Sequence, residues 1–161
     1  MRILLTRNGF EKLTNELNRL IWEERPKASK MIEETRPIGV VEDNPEYMQA
    51  MATQELIENK INDLSVMLSN SIVFNKTMCL DDTVAFGATV KFVDCDSNAE
   101  KSYTLVSIYE SDIDKGLISC EAPFARNMIG LHSGDIFDFN DKEYEIIDIN
   151  YSVVIDESEH F

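Results

Sequence analysis

Apolar residues spaced alternately by three and four positions dominate the first quarter of the chain. They are Phe10, Leu13, Leu17, Leu20, Ala28, Met31 and Ile38, with Ile21 and Ile32 beside them. This spacing is typical of the seam between two packed helices. It predicts a long helix from an N-cap at Thr6 to about Thr35, in which Glu24 interrupts the seam and Pro26 bends or restarts the helix.

The helical pattern breaks at residues 36–45, which contain two prolines and a glycine. Asn44 and Pro45 are a typical N-cap and first helical residue, so a second helix is predicted from there to about Asn70. Its apolar stripe is Met48, Met51, Ile57, Ile61, Leu64 and Leu68. Two helices of roughly 25 residues joined by a turn would form an antiparallel hairpin with arms of about 38 Å. The methionines are interpreted as seam residues that fill gaps: Met31, Met48, Met51 and Met67.

The pattern changes at Ser71–Asp82, which is interpreted as a linker. Five short runs of β type follow, at Ala88–Val93, Tyr103–Tyr109, Leu117–Cys120, Asp135–Phe139 and Tyr144–Tyr151. One short helix is predicted at Phe124–Ile129, between Pro123 and Gly130. The last ten residues are interpreted as a loose tail. The fold class is therefore α+β, with a helical hairpin followed by a β-rich domain.

Charge is distributed unevenly along the chain. The net charge is −15, and residues 1–80 carry ten basic and twelve acidic side chains, whereas residues 81–161 carry five and eighteen. Such an asymmetry indicates two parts that face different partners. Because the acidic half would repel a nucleic-acid backbone, its partner is expected to be a protein.

Membrane and metal sites are not expected from the sequence. No apolar run approaches the roughly 20 residues that span a bilayer, and the N-terminus is too short and polar for a signal peptide. The cysteines are odd in number and lack the spacing of a metal site, with only His132 and His160 to help them: Cys79, Cys95 and Cys120. They are interpreted as reduced thiols of a cytosolic protein.

Four short motifs, in order along the chain, resemble those of the Gre transcription factors of bacteria. Residues 39–47, GVVEDNPEY, are similar to the family's hairpin-tip motif G-D-L-x-E-N-A-E-Y. Residues 86–90, FGATV, match F-G-A-x-V, and residues 118–126, ISCEAPFAR, resemble I-S-x-x-S-P-x-A-R. Residues 23–26, EERP, resemble a segment found midway along the family's first helix. Together these motifs extend the resemblance to residues 3–151.

The resemblance implies a coiled-coil hairpin domain at residues 1–75, an FKBP-like domain that binds polymerase at residues 82–151, and a tail at residues 152–161. It implies a monomer whose partner is bacterial RNA polymerase. The hairpin of this chain would enter the polymerase's secondary channel and act indirectly on the 3′ end of the nascent RNA. The chain would be no enzyme itself and would hold no cofactor of its own. Its tip carboxylates would share Mg²⁺ with the polymerase, which then cuts its own backtracked transcript by two-metal chemistry.

The tip departs from the family pattern. Val40 stands where the family has its tip Asp, and Asp43 stands where it has its tip Glu. Asp43, Glu42 and Glu46 are the candidate catalytic residues, with Asp43 as the shared metal ligand. Because valine cannot coordinate a cation, weak or absent cleavage stimulation is predicted. The alternative reading of these acids is a solvated turn with helix-capping residues.

The resemblance also assigns a polymerase-binding loop, formed by Glu121, Ala122 and Pro123. Two mechanisms stay open within this class, namely rescue of arrested complexes by cleavage and occupancy of the channel that inhibits or modulates polymerase. An FKBP-like peptidyl-prolyl isomerase or chaperone is an alternative of another class. It would need a pocket lined by aromatic rings, and the phenylalanines are too few and scattered along the sequence to indicate one: Phe86, Phe92, Phe124, Phe137 and Phe139. A coiled-coil adaptor without a link to polymerase is a third class, and the C-terminal motifs argue against it.

Overall fold

A computed structural model describes residues 2–36 and 44–158, with side chains to residue 155. The chain divides into two compact units. One is helical, Glu11–Ser71, and the other combines Met1–Phe10 with Ile72–Phe161. The predicted α+β class, with a helical hairpin and a β-rich domain, is confirmed. The domain limits expected from the sequence stay predictions.

The hairpin is built from α1 (Arg7–Arg19), a π-helical turn (Leu20–Glu24), α2 (Arg25–Thr35) and α3 (Pro45–Ser69). The sequence predicted a bend or restart at Pro26, and the structure places a π-helical turn just before it. In this turn the Arg25 amide donates to the Leu20 carbonyl, five residues back. Proline has no N–H and its ring clashes with the carbonyl four residues earlier, so an α-helical register is unfavourable here.

The buried seam uses smaller residues than the sequence suggested. Its core is Leu20, Ala28, Ile57 and Ile61, with Leu17, Ile21 and Leu64 packed against it. Ile32 and Ala50 are also buried. The interpretation of the methionines as seam residues is wrong for Met31, Met48 and Met51, which are about half exposed. Met31 and Met51 each lie next in sequence to a buried seam residue, which turns them about 100° away from the seam.

The β-rich unit contains a five-stranded sheet and a two-stranded one. The larger sheet consists of β3 (Thr89–Asp94), β4 (Glu100–Val106), β5 (Leu117–Ser119), β6 (Ile136–Phe139) and β7 (Lys142–Asn150). Its strands lie in the order β5-β4-β3-β7-β6. Only the β4–β5 pair of this sheet is parallel. The smaller sheet pairs β1 (Ile3–Leu5) with β2 (Ser71–Val73). All five predicted runs overlap a strand of the larger sheet, and the runs predicted to start at Tyr103 and Tyr144 begin three and two residues too late.

Helix α4 (Pro123–Met128) packs against the larger sheet, and α5 (Ser152–Ser158) follows its last strand. The loose tail expected at residues 152–161 is therefore wrong for its first part, because α5 is helical and Val154 is buried in the core. The expected linker is wrong in a similar way, since β2 lies within it and Phe74 is 2% exposed. In both segments the amino-acid composition is typical of a loop, but a buried apolar side chain anchors the backbone to the core.

Among residues 2–36 and 44–158, no helix has the length and hydropathy needed to cross a membrane. Within the same residues, no group of three or more His, Cys, Asp or Glu side chains is placed to hold a metal ion.

Candidate functional site

The Asn44 side chain forms hydrogen bonds to the helix ends on both sides of the hairpin turn. Its side-chain oxygen accepts a hydrogen bond from the Tyr47 amide at 3.1 Å, and its Nδ2 donates to the Thr35 carbonyl at 2.9 Å. The predicted N-cap is thereby confirmed, and the same side chain links the last residue of α2 to the start of α3. Glu46 lies exposed in the first turn of α3.

The other candidate residues of the tip, Val40, Glu42 and Asp43, lie outside the described residues. Asn44 fixes the chain directly after Asp43, and Thr35 ends the helix that leads into the turn. A single side chain, Asn44, thus connects the two helix ends that the structure describes on either side of residues 37–43. The role of the tip acids at a metal stays a prediction.

The predicted polymerase-binding loop is an exposed corner between β5 and α4. The Glu121 amide donates to the Ser119 hydroxyl at 3.1 Å, and the Ala122 amide donates to the Ser119 carbonyl at 3.0 Å. Ser119 itself is buried, and Pro123 begins α4. These contacts hold the backbone of the corner and leave the Glu121 carboxylate exposed. The loop therefore presents a negative charge from a well-supported turn.

The thiol of Cys120, which lies in this corner, has low reactivity at neutral pH. Burial raises the pKa of the Cys120 thiol to about 11, and the nearby Glu121 carboxylate acts in the same direction. The thiol is therefore protonated at neutral pH, and because only the thiolate is a strong nucleophile, Cys120 is interpreted as a packing residue.

The structure brings together aromatic rings that are scattered along the sequence. Phe92, Phe124 and Phe139, with Tyr103 and Tyr144, line one cavity of about 600 Å³, which we call the aromatic cavity. The spacing of the phenylalanines along the sequence does not indicate this cavity, which depends on the tertiary structure. Two tyrosines contribute to the lining, whereas Phe86 does not line the cavity and its ring contacts Phe74 instead.

Strand register explains why these rings meet. Phe92 pairs with Lys101 on β4 and with Ile146 on β7, and directly paired residues of antiparallel strands point to the same face. Side chains alternate between the two faces of a sheet, so Tyr103 and Tyr144, each two residues away from those partners, point to that face as well. The Phe124 ring, from α4, has its centroid 5.1 Å from those of Phe92 and Phe139.

Three charged side chains also line the aromatic cavity: Asp94, Lys101 and Lys142. Asp94 Oδ1 accepts hydrogen bonds from the amides of Asp96 at 2.9 Å and Ser97 at 3.3 Å, and Lys142 Nζ lies 3.8 Å from Asp94 Oδ2. The Asp96 amide above all, then the Ser97 amide and Lys142, lowers the pKa of the Asp94 carboxyl despite its burial. The two lysines are exposed at the cavity.

Comparison with known proteins gives matches along most of the chain. Residues 3–73 match the family model described as "Transcription elongation factor, N-terminal", and residues 80–151 match "Transcription elongation factor, GreA/GreB, C-term". The chain is 38% identical to the transcription elongation factor GreA of Alkalilimnicola ehrlichii over 94% of its own length and 99% of that protein. It is 37% identical to GreA of Paracoccus denitrificans, over 93% and 98% of the two chains.

A solved structure is similar as well. The GreA factor homolog 1 (Gfh1) protein of Thermus thermophilus is 24% identical, with 93% of this chain and 99% of that one covered and a TM-score of 0.44.

Proposed function

The chain belongs to the GreA/GreB family of transcription elongation factors, and from this membership we propose that it acts by binding bacterial RNA polymerase at its secondary channel. In this proposal the corner of Glu121, Ala122 and Pro123 contacts the polymerase, and the hairpin enters the channel. The chain would modulate the catalytic centre of the polymerase and carry out no reaction itself.

The observation that carries the proposal is the corner between β5 and α4. Its backbone is fixed by Ser119, its carboxylate is exposed, and its sequence resembles the family's motif at this point. An exposed acid on a rigid turn is suited to pairing with a basic group of a protein partner, because little conformational freedom is lost on binding.

The docking corner is tested by reversing its charge. Glu121→Lys should weaken binding to core RNA polymerase about tenfold or more, because like-charge contact at an interface can cost several kcal/mol. Glu145→Lys is the matched control, since Glu145 is an exposed acid on β7 and alternates with Tyr144, so it points away from the aromatic cavity. Affinity would be measured with a fluorescently labelled chain. Equal affinities of the native protein and Glu121→Lys would remove this corner from the interface.

The hairpin tip is the second part of the proposal. Glu42, Asp43 and Glu46 supply carboxylate oxygens, which are the ligands that Mg²⁺ prefers, whereas Val40 supplies none. Because Val40 replaces the tip Asp, Asp43 is the only acid left at the two positions of the family's tip Asp and tip Glu. The tip would therefore hold the polymerase's second Mg²⁺ poorly. That metal, when bound, stabilises charge on the oxygens of the reacting phosphate. We therefore propose that the chain occupies the channel and stimulates transcript cleavage weakly or not at all.

Cleavage is tested on stalled, backtracked elongation complexes, with shortening of the transcript as the readout. The native protein should give little cleavage, Val40→Asp should give more, and Val40→Asp with Asp43→Glu should give the most. Binding of each variant to polymerase is measured in parallel, so that a loss of docking is distinguished from a loss of chemistry. Strong native cleavage that disappears in Asp43→Ala would show that one family carboxylate suffices. If native cleavage instead survives Asp43→Ala and falls in Glu42→Ala, the alignment of the tip is shifted by one residue.

A further inference from the structure

We propose that residues 107–110, which we call the apolar turn, bind polymerase beside the docking corner, with Ile108 and Tyr109 entering an apolar recess of the partner. The proposal rests on the proposed function, because these residues extend the same docking surface. It assigns the duration of the complex to the two apolar side chains and the steering of its formation to Glu121.

The apolar turn lies beside the docking corner because β4 and β5 run parallel. Val106 pairs with Ser119 at the ends of these two strands, and the Cys120 amide donates to the Val106 carbonyl at 2.9 Å. The segments that follow the two strands therefore leave the sheet at the same edge. Ile108 and Glu121 each lie two residues beyond this last pair, so they belong to one surface.

The two central residues of the apolar turn are large, apolar and exposed. Ile108 is 54% exposed and Tyr109 is 53% exposed. The central positions of an exposed β-turn are usually occupied by small or polar residues, which suit the turn conformation or bond to its backbone. Formation of the turn does not explain an isoleucine and a tyrosine there, and departures from local preference of this kind are expected at functional sites.

Hydrogen bonds hold the backbone of the apolar turn. The Glu110 amide donates to the Ser107 carbonyl at 3.0 Å, and the Ser107 hydroxyl donates to the Glu110 carboxylate at 3.2 Å. The Ser111 hydroxyl donates to the Ile108 carbonyl at 3.2 Å. Because the turn is already fixed in this way, little conformational entropy of the backbone is lost when its side chains bind a partner.

The surrounding charge selects a protein partner over a nucleic acid or a second copy of this chain. Residues 81–161 contain eighteen acidic and five basic side chains, and Glu121 lies exposed beside the apolar turn. A phosphate backbone or a second copy would bring like charges together. A protein surface with a basic group next to an apolar recess complements both features, and polymerase is the protein partner in the proposed function.

The acid and the apolar turn should affect binding kinetics differently. An exposed ion pair of Glu121 adds little affinity and is screened by salt, but it steers the encounter of the two proteins. Burial of Ile108 and Tyr109 removes apolar surface from water and does not depend on charge. Tyrosine is also enriched among the few residues that dominate interface energies, and their loss mainly speeds dissociation.

The proposal is tested by surface plasmon resonance with the full chain and purified bacterial core RNA polymerase. Tyr109→Ala and Ile108→Ser should each weaken binding about tenfold through faster dissociation, whereas Tyr109→Phe, which keeps the ring, should bind like the native protein. These losses should be equal at about 50 mM and about 300 mM NaCl, whereas the loss in Glu121→Lys should shrink with salt. Ile136→Ser is the matched control, because Ile136 is 58% exposed on β6, at the opposite edge of the sheet from β5.

Circular dichroism of each variant establishes that the fold is intact, and Tyr109→Ala tests the apolar turn even where Ile108→Ser does not fold. Weaker binding of Glu121→Lys with native binding of Ile108→Ser and Tyr109→Ala would overturn this inference and keep the docking corner. No binding of the native protein to polymerase would overturn the proposed function and this inference with it.

Two further outcomes would also overturn the inference. Equal losses in Ile108→Ser and Ile136→Ser would show that removal of any exposed isoleucine weakens binding. Self-association of the native chain in light scattering that disappears in Tyr109→Ala, with unchanged binding to polymerase, would assign the apolar turn to a second copy.

Discussion

Glu110 connects the loop after β4 to the first turn of α1. Its carboxylate accepts hydrogen bonds from the Thr6 amide at 3.1 Å and the Ser107 hydroxyl at 3.2 Å, and it also contacts the Thr6 hydroxyl. The Thr6 hydroxyl in turn caps the helix by accepting from the Gly9 amide at 3.0 Å. A Cβ atom at Gly9 would clash with the Glu110 carboxyl group. The glycine therefore provides the space in which the carboxylate reaches the helix.

This contact predicts a non-additive pair of substitutions. Glu110→Ala should lower the free energy of unfolding by about 1–3 kcal/mol, because the buried Thr6 amide loses its acceptor. Gly9→Ala should be destabilising in the native protein, since it displaces the carboxylate. In the Glu110→Ala background it should be neutral or stabilising, as alanine favours helix by about 1 kcal/mol over glycine. Urea unfolding of the four proteins measures the coupling, and additive effects would contradict the contact.

Asp94 predicts a pH dependence. Its pKa is lowered in the folded chain, by the Asp96 amide above all, so its contribution to stability is present above the unfolded pKa of about 4. That contribution is lost as the pH falls through the lower folded pKa. The stability difference between the native protein and Asp94→Asn should therefore shrink as the pH falls below about 4. Urea unfolding at pH 7, 4 and 3 measures this stability difference. A difference that does not change with pH would show that the hydrogen bonds to the Asp94 carboxyl do not depend on its ionised form.

At the scale of elements, the π-helical turn has two causes that can be separated. Pro26 disfavours an α-helical register, and the buried seam residues Leu20 and Ala28 are eight positions apart, one more than the seven of a regular seam. A π-helical turn absorbs one extra residue. The spacing remains when the proline is removed, so the turn should persist without it.

We expect Pro26→Ala to retain the π-helical turn, and Pro26→Ala with deletion of Glu23 to convert it to α-helix. Crystal structures of the two variants would decide this. An α-helical Leu20–Glu24 segment in the single variant would show that the proline alone causes the turn. The exposed ion pair nearby, Arg25 with Glu58 at 2.8 Å, is expected to contribute little to stability, because solvent screens the attraction between surface charges.

At the scale of the whole molecule, the net charge of −15 should make stability depend on salt. Residues 81–161 carry most of the excess negative charge, and repulsion within a compact acidic structure is screened as ionic strength rises. Raising NaCl from about 20 mM to about 200 mM should therefore raise Tm, by roughly 2–4 °C for each kcal/mol gained. Calorimetry measures the shift. A lower Tm in salt would mean that attractive ion pairs outweigh the repulsion.

The sequence alone determined the features that depend on neighbours along the chain. The three-and-four spacing predicted the hairpin, and Asn44 and Pro45 predicted the start of its second helix. Short β-type runs between turn residues located the five strands of the larger sheet, whereas β1 and β2 were not predicted. These signals are local, because helix faces and caps are set by residues three or four positions apart. The exposed corner at Glu121 was also predicted, since Pro123 starts a helix directly after a strand.

Only the tertiary structure decided which distant residues meet. The aromatic cavity depends on the register of β3 against β4 and β7 and on the packing of α4, and a shift of one residue would turn each ring to the other face. Glu110 and Thr6 are 104 positions apart, and Phe74 and Val154 are buried in segments that read as linker and tail. Such contacts form because burial of apolar surface repays the entropy of closing long loops, and a local sequence pattern does not record which loops close.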